Sequence, residues 1–203
     1  MSNDYKIVPL KGSYYKNCVK LLNKEWQLGR KQSHATGDIC AWIYLFEILR
    51  YSDKLLVYIQ NDEILGFVGY LNYKKPKKKI RKTIYSTIYH LLFFNPKIKD
   101  RKALKNYYET YSYTPQKLES TFDGELSIII VNNENRSKGI GTKLFDEIIK
   151  YAKASGMQNM KIDTDDSCGV QFYEKKGCIK KFTTKIEMGE KIVENAYTYE
   201  KVL

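Results

Sequence analysis

The chain has 203 residues, with 35 Lys and Arg against 23 Asp and Glu, for a formal charge of +12. That length suits one domain over residues 1–203, burying about 70% of its unfolded surface without covalent staples. Its four cysteines (Cys18, Cys40, Cys168, Cys178) form no C-x-x-C pair and have no His-x-x-x-His companion, which argues against a metal site or a disulfide framework. No apolar segment follows the first methionine and no run reaches the ~20 residues of a membrane span, so a soluble, cytoplasmic protein with reduced thiols is expected.

Residues 5–8 read as a short opening strand. Ser13 can cap a helix reaching about Trp26, with Cys18, Leu21 and Leu22 on its apolar face. Residues 29–37 are polar and turn-like, and Asp38 can cap a second helix over 39–51. Residues 55–60 and 64–71 read as two strands joined in a hairpin at Asn61-Asp62-Glu63. The next strand begins only at Glu125, and the interval 72–123 is too long for a bare loop.

That interval holds much of the charge. Thirteen Lys and Arg between Asn72 and Phe122 face three acids, leaving +10 of the chain's +12 there. The run 74–82 alone carries seven cations, which would attract nucleic-acid phosphates or an anionic surface; a solvated connector is the favoured reading, since no base-reading motif accompanies it. A helix over 84–94 ends at Asn95-Pro96, a second over 98–111 gathers Leu104, Tyr107, Tyr108 and Tyr111, and Thr114-Pro115 breaks the pattern.

Residues 125–131 are nearly continuous apolar, β-branched at four of seven positions, as in a strand covered on both faces. Arg136-Ser137-Lys138-Gly139-Ile140-Gly141 follows, then an amphipathic helix over about 142–154 and a strand over about 159–164. Asp166 or Ser167 can cap the next short helix, and strands over 180–188 and 192–203 close the chain as a hairpin through Gly189. A strand, a glycine-bearing turn and a helix N-terminus together make an anion site, because the glycines admit a ligand close to the backbone and the first-turn N–H groups are unpaired. Arg136 and Lys138 add charge there, so a phosphate or pyrophosphate is the expected guest. The segment is neither a Walker loop nor the dinucleotide fingerprint, whose third glycine position holds Leu144.

Arg-x-x-Gly-x-Gly directly after a buried strand resembles the coenzyme A pyrophosphate loop of the GCN5-related N-acetyltransferases. Phe172-Tyr173-Glu174-Lys175-Lys176-Gly177-Cys178 is similar to that family's FYEKxGF stretch, with Cys178 in place of Phe. One helix and one strand separate the two segments, as in the family. The resemblance implies a mixed α/β acyltransferase fold with a central sheet of about seven strands flanked by helices, and makes 72–123 a helical insertion between the third and fourth strands. It implies acetyl-coenzyme A as cofactor and acetyl transfer to a primary amine, of a small molecule or a peptide, by direct attack in a ternary complex, without a metal.

On this resemblance, Arg136, Ser137, Lys138, Gly139, Ile140, Gly141 and Thr142 bind the pyrophosphate. Ile129 and Val131 meet the pantetheine arm, and Val131 positions the thioester; ordinary sheet pairing is the alternative for both. Asp166 stands where many members have Asn against the pantetheine, beside Ser167; simple capping is the alternative. Tyr173 holds the position of the general acid that returns a proton to the thiolate. Glu125 opens the strand at the spacing of a general base acting through water; it can equally be a counter-charge for a cationic amine or a strand-end residue in solvent. Cys168, near a helix start, is a candidate for a lowered thiol pKa, although no partner His accompanies it. A coenzyme A-binding sensor without turnover, or a polyanion-binding module built on the basic insertion, is the competing reading.

Overall fold

The computed structural model describes residues 4–27, 37–76, 79–98, 101, 113–188 and 192–203. β1 (Tyr5–Pro9) and α1 (Tyr15–Trp26) are followed by α2 (Gly37–Tyr51), β2 (Lys54–Gln60) and β3 (Glu63–Asn72). The interval before β4 (Gly124–Val131) contains α3 (Lys79–Phe93) and the single turn α4 (Gln116–Glu119). Then come α5 (Ile140–Ala154), β5 (Asn159–Asp165), α6 (Val170–Lys175), β6 (Ile179–Met188) and β7 (Ile192–Val202).

The strands form one seven-stranded sheet in the order β1-β2-β3-β4-β5-β7-β6. Every neighbouring pair is antiparallel except β4 with β5. Asn61 and Asp62, both left-handed, make the two-residue turn that sets the β2–β3 register. Helices cover both faces. On one, α1 and α2 pack Leu22, Ile43 and Leu45 against Val57, Phe67, Ile128 and Ile130, with Tyr85, Tyr89 and Leu92 of α3 added outside. On the other, Leu144, Phe145 and Ile148 of α5 and Tyr173 of α6 pack on Leu56, Val68, Leu126, Met160 and Ile162. Each fully buried Leu or Ile contributes about 1.5–3 kcal/mol.

β4 carries one extra residue. Gly69 of β3 pairs with Ile128 and Tyr70 with Leu126, which leaves Ser127 unmatched. The bulge turns Leu126 onto the α5 side, although Ile128 and Ile130 face α1 and α2. Ser127 Oγ lies 2.7 Å from Ser52 Oγ, and a Cβ on Gly69 would approach it to 2.9 Å, so the glycine makes room for the bulge. Bulges bend the strand that bears them. Here β4 leaves β5 after a single register pair, Glu125 with Lys161.

Several local expectations need correction. No side chain caps α1: Ser13 lies inside a 3-10 turn (Gly12–Tyr14) that leads into the helix. Asp38 lies within the first turn of α2 and accepts from Asn23 Nδ2 at 2.8 Å instead of capping. The helix expected to begin at residue 84 begins at Lys79, so part of the basic run is helical rather than a connector. Thr114-Pro115, by contrast, lies in a non-helical stretch as expected, with Pro115 at the N-cap of α4. The second insertion helix, Ile98 and Arg101 apart, and the 29–37 loop, its last residue apart, lie outside the described residues.

Gly124 is tightly enclosed, since a Cβ there would come within 2.0 Å of the Leu71 carbonyl oxygen and 2.7 Å of Met157 Cε. Backbone cannot yield as a side chain does. Gly124→Ala should lower the thermal midpoint by roughly 4–10 °C, about 2–3 kcal/mol, in a calorimetric scan; an unchanged midpoint would refute that packing.

Candidate active site

Beyond the Glu125–Lys161 pair the two parallel strands present open backbone. The Asn132 N–H donates to the Leu65 carbonyl at 2.8 Å, so even-numbered residues at this end of β4 face β3, and Ile129 and Val131 turn their N–H and C=O groups toward β5. On the other bank, the Asp166 N–H reaches the Asn195 carbonyl at 3.1 Å, so the backbone groups of Asp163 and Asp165 lie on the β4 side of β5, while the Asp163 carboxylate turns to Lys161. Val131, Gly141 and Phe172 meet at its mouth: a Cβ on Gly141 would lie 3.7 Å from both Val131 Cγ2 and Phe172 Cε2.

The loop between β4 and α5 is shaped by two left-handed residues, Ser137 (φ 63°) and Gly139 (φ 77°), the latter the N-cap of α5. Lys143 N–H bonds the Gly139 carbonyl at 3.0 Å and starts the helical ladder. The N–H groups of Ile140, Gly141 and Thr142 precede it without an intrahelical acceptor. Around Gly139 a Cβ would meet nothing within 4 Å, so the turn is open to a guest. Arg136 is not a free cation: its Nη2 lies 3.0 Å from Glu25 Oε2, a carboxylate side chain only 2% exposed. Glu25 Oε1 also accepts from the Asn133 N–H at 2.9 Å, so α1 holds the loop through one residue. Lys138 Nζ donates to Asn135 Oδ1 at 2.9 Å from an exposed position.

Tyr173 is buried on the inner side of α6, beside Phe172 and Tyr199. Burial above all, then the Cys168 and Cys178 thiols, raises its phenol above the ordinary value, so the hydroxyl stays protonated and available as a donor. Thr164, on the same face of β5, is buried as well.

A second cluster occupies the joined end of the strands, on the opposite face. Lys161 Nζ lies 2.9 Å from both oxygens of Glu119, 2.9 Å from Asp163 Oδ2 and 3.3 Å from Glu125 Oε2. The Tyr73 hydroxyl is 2.8 Å from Glu125 and 2.9 Å from Glu119, and its one proton serves one carboxylate at a time. Burial opposes the Lys161 charge, but Asp163, Glu125 and Glu119 outweigh it and raise the ammonium above its ordinary value. Asp163 is raised by burial, against Lys161, Thr198 and Thr114. The insertion is fastened over this face. Thr114 Oγ1 reaches Asp163 at 3.1 Å, and the Tyr113 hydroxyl accepts from the Thr164 N–H at 3.1 Å.

The sequence matches the family described as "Acetyltransferase (GNAT) family" over residues 16–178. The chain belongs to the GNAT acetyltransferase family. No curated protein sequence matches it. Among solved structures it is similar to an N-acetyltransferase from Staphylococcus aureus Mu50, at 17% identity and a TM-score of 0.57, with 98% of each chain covered. It is similar to a ribosomal-protein-alanine N-acetyltransferase from Brucella melitensis, at 13% identity and TM-score 0.56, covering 98% of this chain and 99% of that one. It also resembles yncA of Salmonella typhimurium, solved with its cofactor acetyl-CoA, at 12% identity and TM-score 0.56, covering 99% and 95%. At such identities the likeness concerns the fold.

In this GNAT protein the loop, Ile129, Val131 and the Phe172–Tyr173 segment come together at the open end of the β4/β5 gap. Glu125 does not join them. It pairs with Lys161, three residues before Thr164 on β5 and so about 10 Å along the strand. Asp166 and Ser167 are not helix caps. Asp166 accepts from Asn195 N and Nδ2 at 3.0 and 2.8 Å and from Tyr197, while Ser167 donates to Asp165; Gly169 precedes α6 without a side-chain cap. The Cys168 thiol is raised, by desolvation and then Asp165, where a lowered value was expected. Burial pushes the thiols of Cys18 and Cys178 up to about 12 and about 11. Among the described residues no cluster of His, Cys, Asp and Glu fits a metal ion, and no helix is long and apolar enough to cross a membrane.

Sequence reasoning missed Lys161, Asp163, Glu119 and Tyr73. The only sequence signal was Lys161 among alternating strand residues, where a charge on a covered face requires partners. Lys161, with a side chain 7% exposed, holds three carboxylates together. Lys161→Met should therefore cost about 3 kcal/mol or more at pH 7, lowering the midpoint by roughly 6 °C or more. Because the folded ammonium is raised, its contribution is complete below the ordinary value of 10.5 and is lost as pH rises through the folded value. The difference between wild type and variant should narrow as pH rises above 10.5, and a constant difference would contradict the network.

Proposed function

We propose that this GNAT protein is an N-acetyltransferase that carries an acetyl group from acetyl-coenzyme A to a primary amine by direct attack in a ternary complex. One observation carries the reading: the open β4/β5 edge ends at a loop whose helix N-terminus is unobstructed. When bound, acetyl-coenzyme A supplies the acyl group as an activated thioester.

The residues suit its parts. The N–H groups of Ile140, Gly141 and Thr142, with Ser137, Lys138 and Gly139, suit a pyrophosphate, and Arg136 adds a charge shared with Glu25. The gap-facing backbone of Ile129 and Val131 suits the amide-bearing pantetheine arm, and a Val131 N–H directed there suits a carbonyl oxygen gaining negative charge. Asp166 and Ser167 lie beyond the end of β5 at the far bank; the Asp166 oxygens are engaged by β7, so backbone is the better contact there. Burial keeps the Tyr173 phenol protonated, so it can donate a hydrogen bond to the departing sulfur and act as its general acid, although the same burial makes it a weaker acid than a free phenol.

An alkyl ammonium with a pKa near 10 is roughly 99.9% protonated at pH 7 and must lose a proton before attack. Glu125 assists, as a base through water or as a counter-charge. The face on which it lies carries Glu119, Glu125 and Asp163 against Lys161, a net negative surface. It favours a cationic amine.

Free-thiol release from acetyl-coenzyme A should be followed against peptide amines, polyamines and aminoglycosides. Amine-dependent release is expected, with Tyr173→Phe lowering kcat about 100-fold while leaving acetyl-coenzyme A affinity within about twofold. Glu125→Gln should shift the acid limb of the pH profile if Glu125 is the base, or raise KM with kcat retained if it is a counter-charge. Affinity for acetyl-coenzyme A without release for any amine would leave a binding module instead of an enzyme.

A further inference from the structure

α3 has two apolar faces, and among the described residues only one is packed. Tyr85, Tyr89, Leu92 and Phe93 pack inward against the α2 layer. Ile80, Ile84 and Leu91, with Phe94 just past the last turn, follow one another at intervals of four, seven and three residues. At 100° per residue they fall in one narrow stripe, opposite the packed face. All four are exposed; Ile80 is 79%, Leu91 70% and Phe94 65% accessible. Since α3 packs on α2, and α2 on the sheet, this stripe belongs to the outermost layer of the protein.

The surroundings are cationic. Lys75 and Lys97, just before and just after α3 in the chain, are exposed, and Arg101 donates to the Phe93, Phe94 and Asn95 carbonyls at the C-terminal end of α3, its guanidinium 5.9 Å from the Phe94 ring. Among the described residues from 74 to 101 there is no Asp or Glu. We propose that this outer face of α3 docks the protein reversibly on an anionic phospholipid surface, with the aliphatic stripe entering the headgroup boundary and the cations meeting lipid phosphates. A nucleic acid would use the cations and leave Ile80, Ile84 and Leu91 without a role, because aliphatic side chains gain nothing from a phosphate backbone. The charge of this segment likewise opposes pairing with a second copy through the same face.

Co-sedimentation of the full chain with vesicles of phosphatidylglycerol and phosphatidylcholine tests this, with pure phosphatidylcholine as the comparison. Binding is expected only with the anionic vesicles and should weaken as salt rises. Leu91→Ser combined with Phe94→Ser should reduce vesicle affinity about tenfold or more with the thermal midpoint unchanged. Ile80→Ser, at the most exposed position, serves as a second variant if the double one is destabilised. No binding to anionic vesicles at low salt would overturn the proposal. So would undiminished binding by folded variants, or a wild-type dimer that the same substitutions dissociate. None of these outcomes depends on turnover, so the docking face and the acetyltransferase reading stand or fall separately.

Discussion

The site depends on one unmatched residue in the middle of the sheet. Parallel strands lie side by side because their backbone groups saturate one another, and an opening between them requires one strand to bend away. Ser127 supplies the bend. Its insertion into β4 reverses which side chains meet which core, so Ile128 and Ile130 join the α1–α2 layer while Ile129 and Val131 keep contact with α5. The open edge opposite β5 follows, as does the separation of the site into two ends. Gly69 and Ser52 accommodate the extra residue on β3 and before β2, which ties the geometry of the gap to residues that never border it.

The two ends are physically different. The open end is formed by backbone donors, a left-handed turn and a buried phenol, and the anion site proposed there draws on N–H groups more than on side-chain charge. Glu25 reinforces this, since it holds Arg136 and the Asn133 amide together and so positions the loop while neutralising part of its charge. The joined end is a network of ionised side chains covered by the insertion through Tyr113, Thr114 and Glu119. One segment of the chain therefore both encloses the acidic face and carries the basic, apolar outer helix.

Much of this was legible in the sequence, for identifiable reasons. The hairpin at Asn61-Asp62, the buried β4 strand, the loop and the α5 helix each carry a local signal: left-handed turn residues, β-branched runs, glycine spacing and helical periodicity. The bulge was not legible, because a single Ser within an Ile-rich strand looks the same whether paired or extruded. The Lys161 cluster assembles three stretches distant in sequence, around Tyr73, Glu119 to Glu125, and Lys161 to Asp163, and nothing local announces that the carboxylates converge. Capping failed at Ser13, Asp38 and Asp166 for a shared reason: each side chain sits one or more residues from the actual start or bonds a tertiary partner instead, as Asp38 does with Asn23 and Asp166 with Asn195 and Tyr197. Cys168 went the other way from expectation because desolvation, and then the charge of Asp165 three residues before it, outweigh any helix end.

The central claim is that the gap between β4 and β5, together with the turn before α5, receives acetyl-coenzyme A. Amide hydrogen exchange with and without saturating acetyl-coenzyme A tests it most directly, because the amides in question are the proposed ligands. The account predicts slowed exchange at Ile129, Val131 and residues 138–142, with β1 and β2 unaffected. Exchange unchanged across 129–142, under conditions where the ligand is shown to bind, would place the ligand elsewhere and contradict the account.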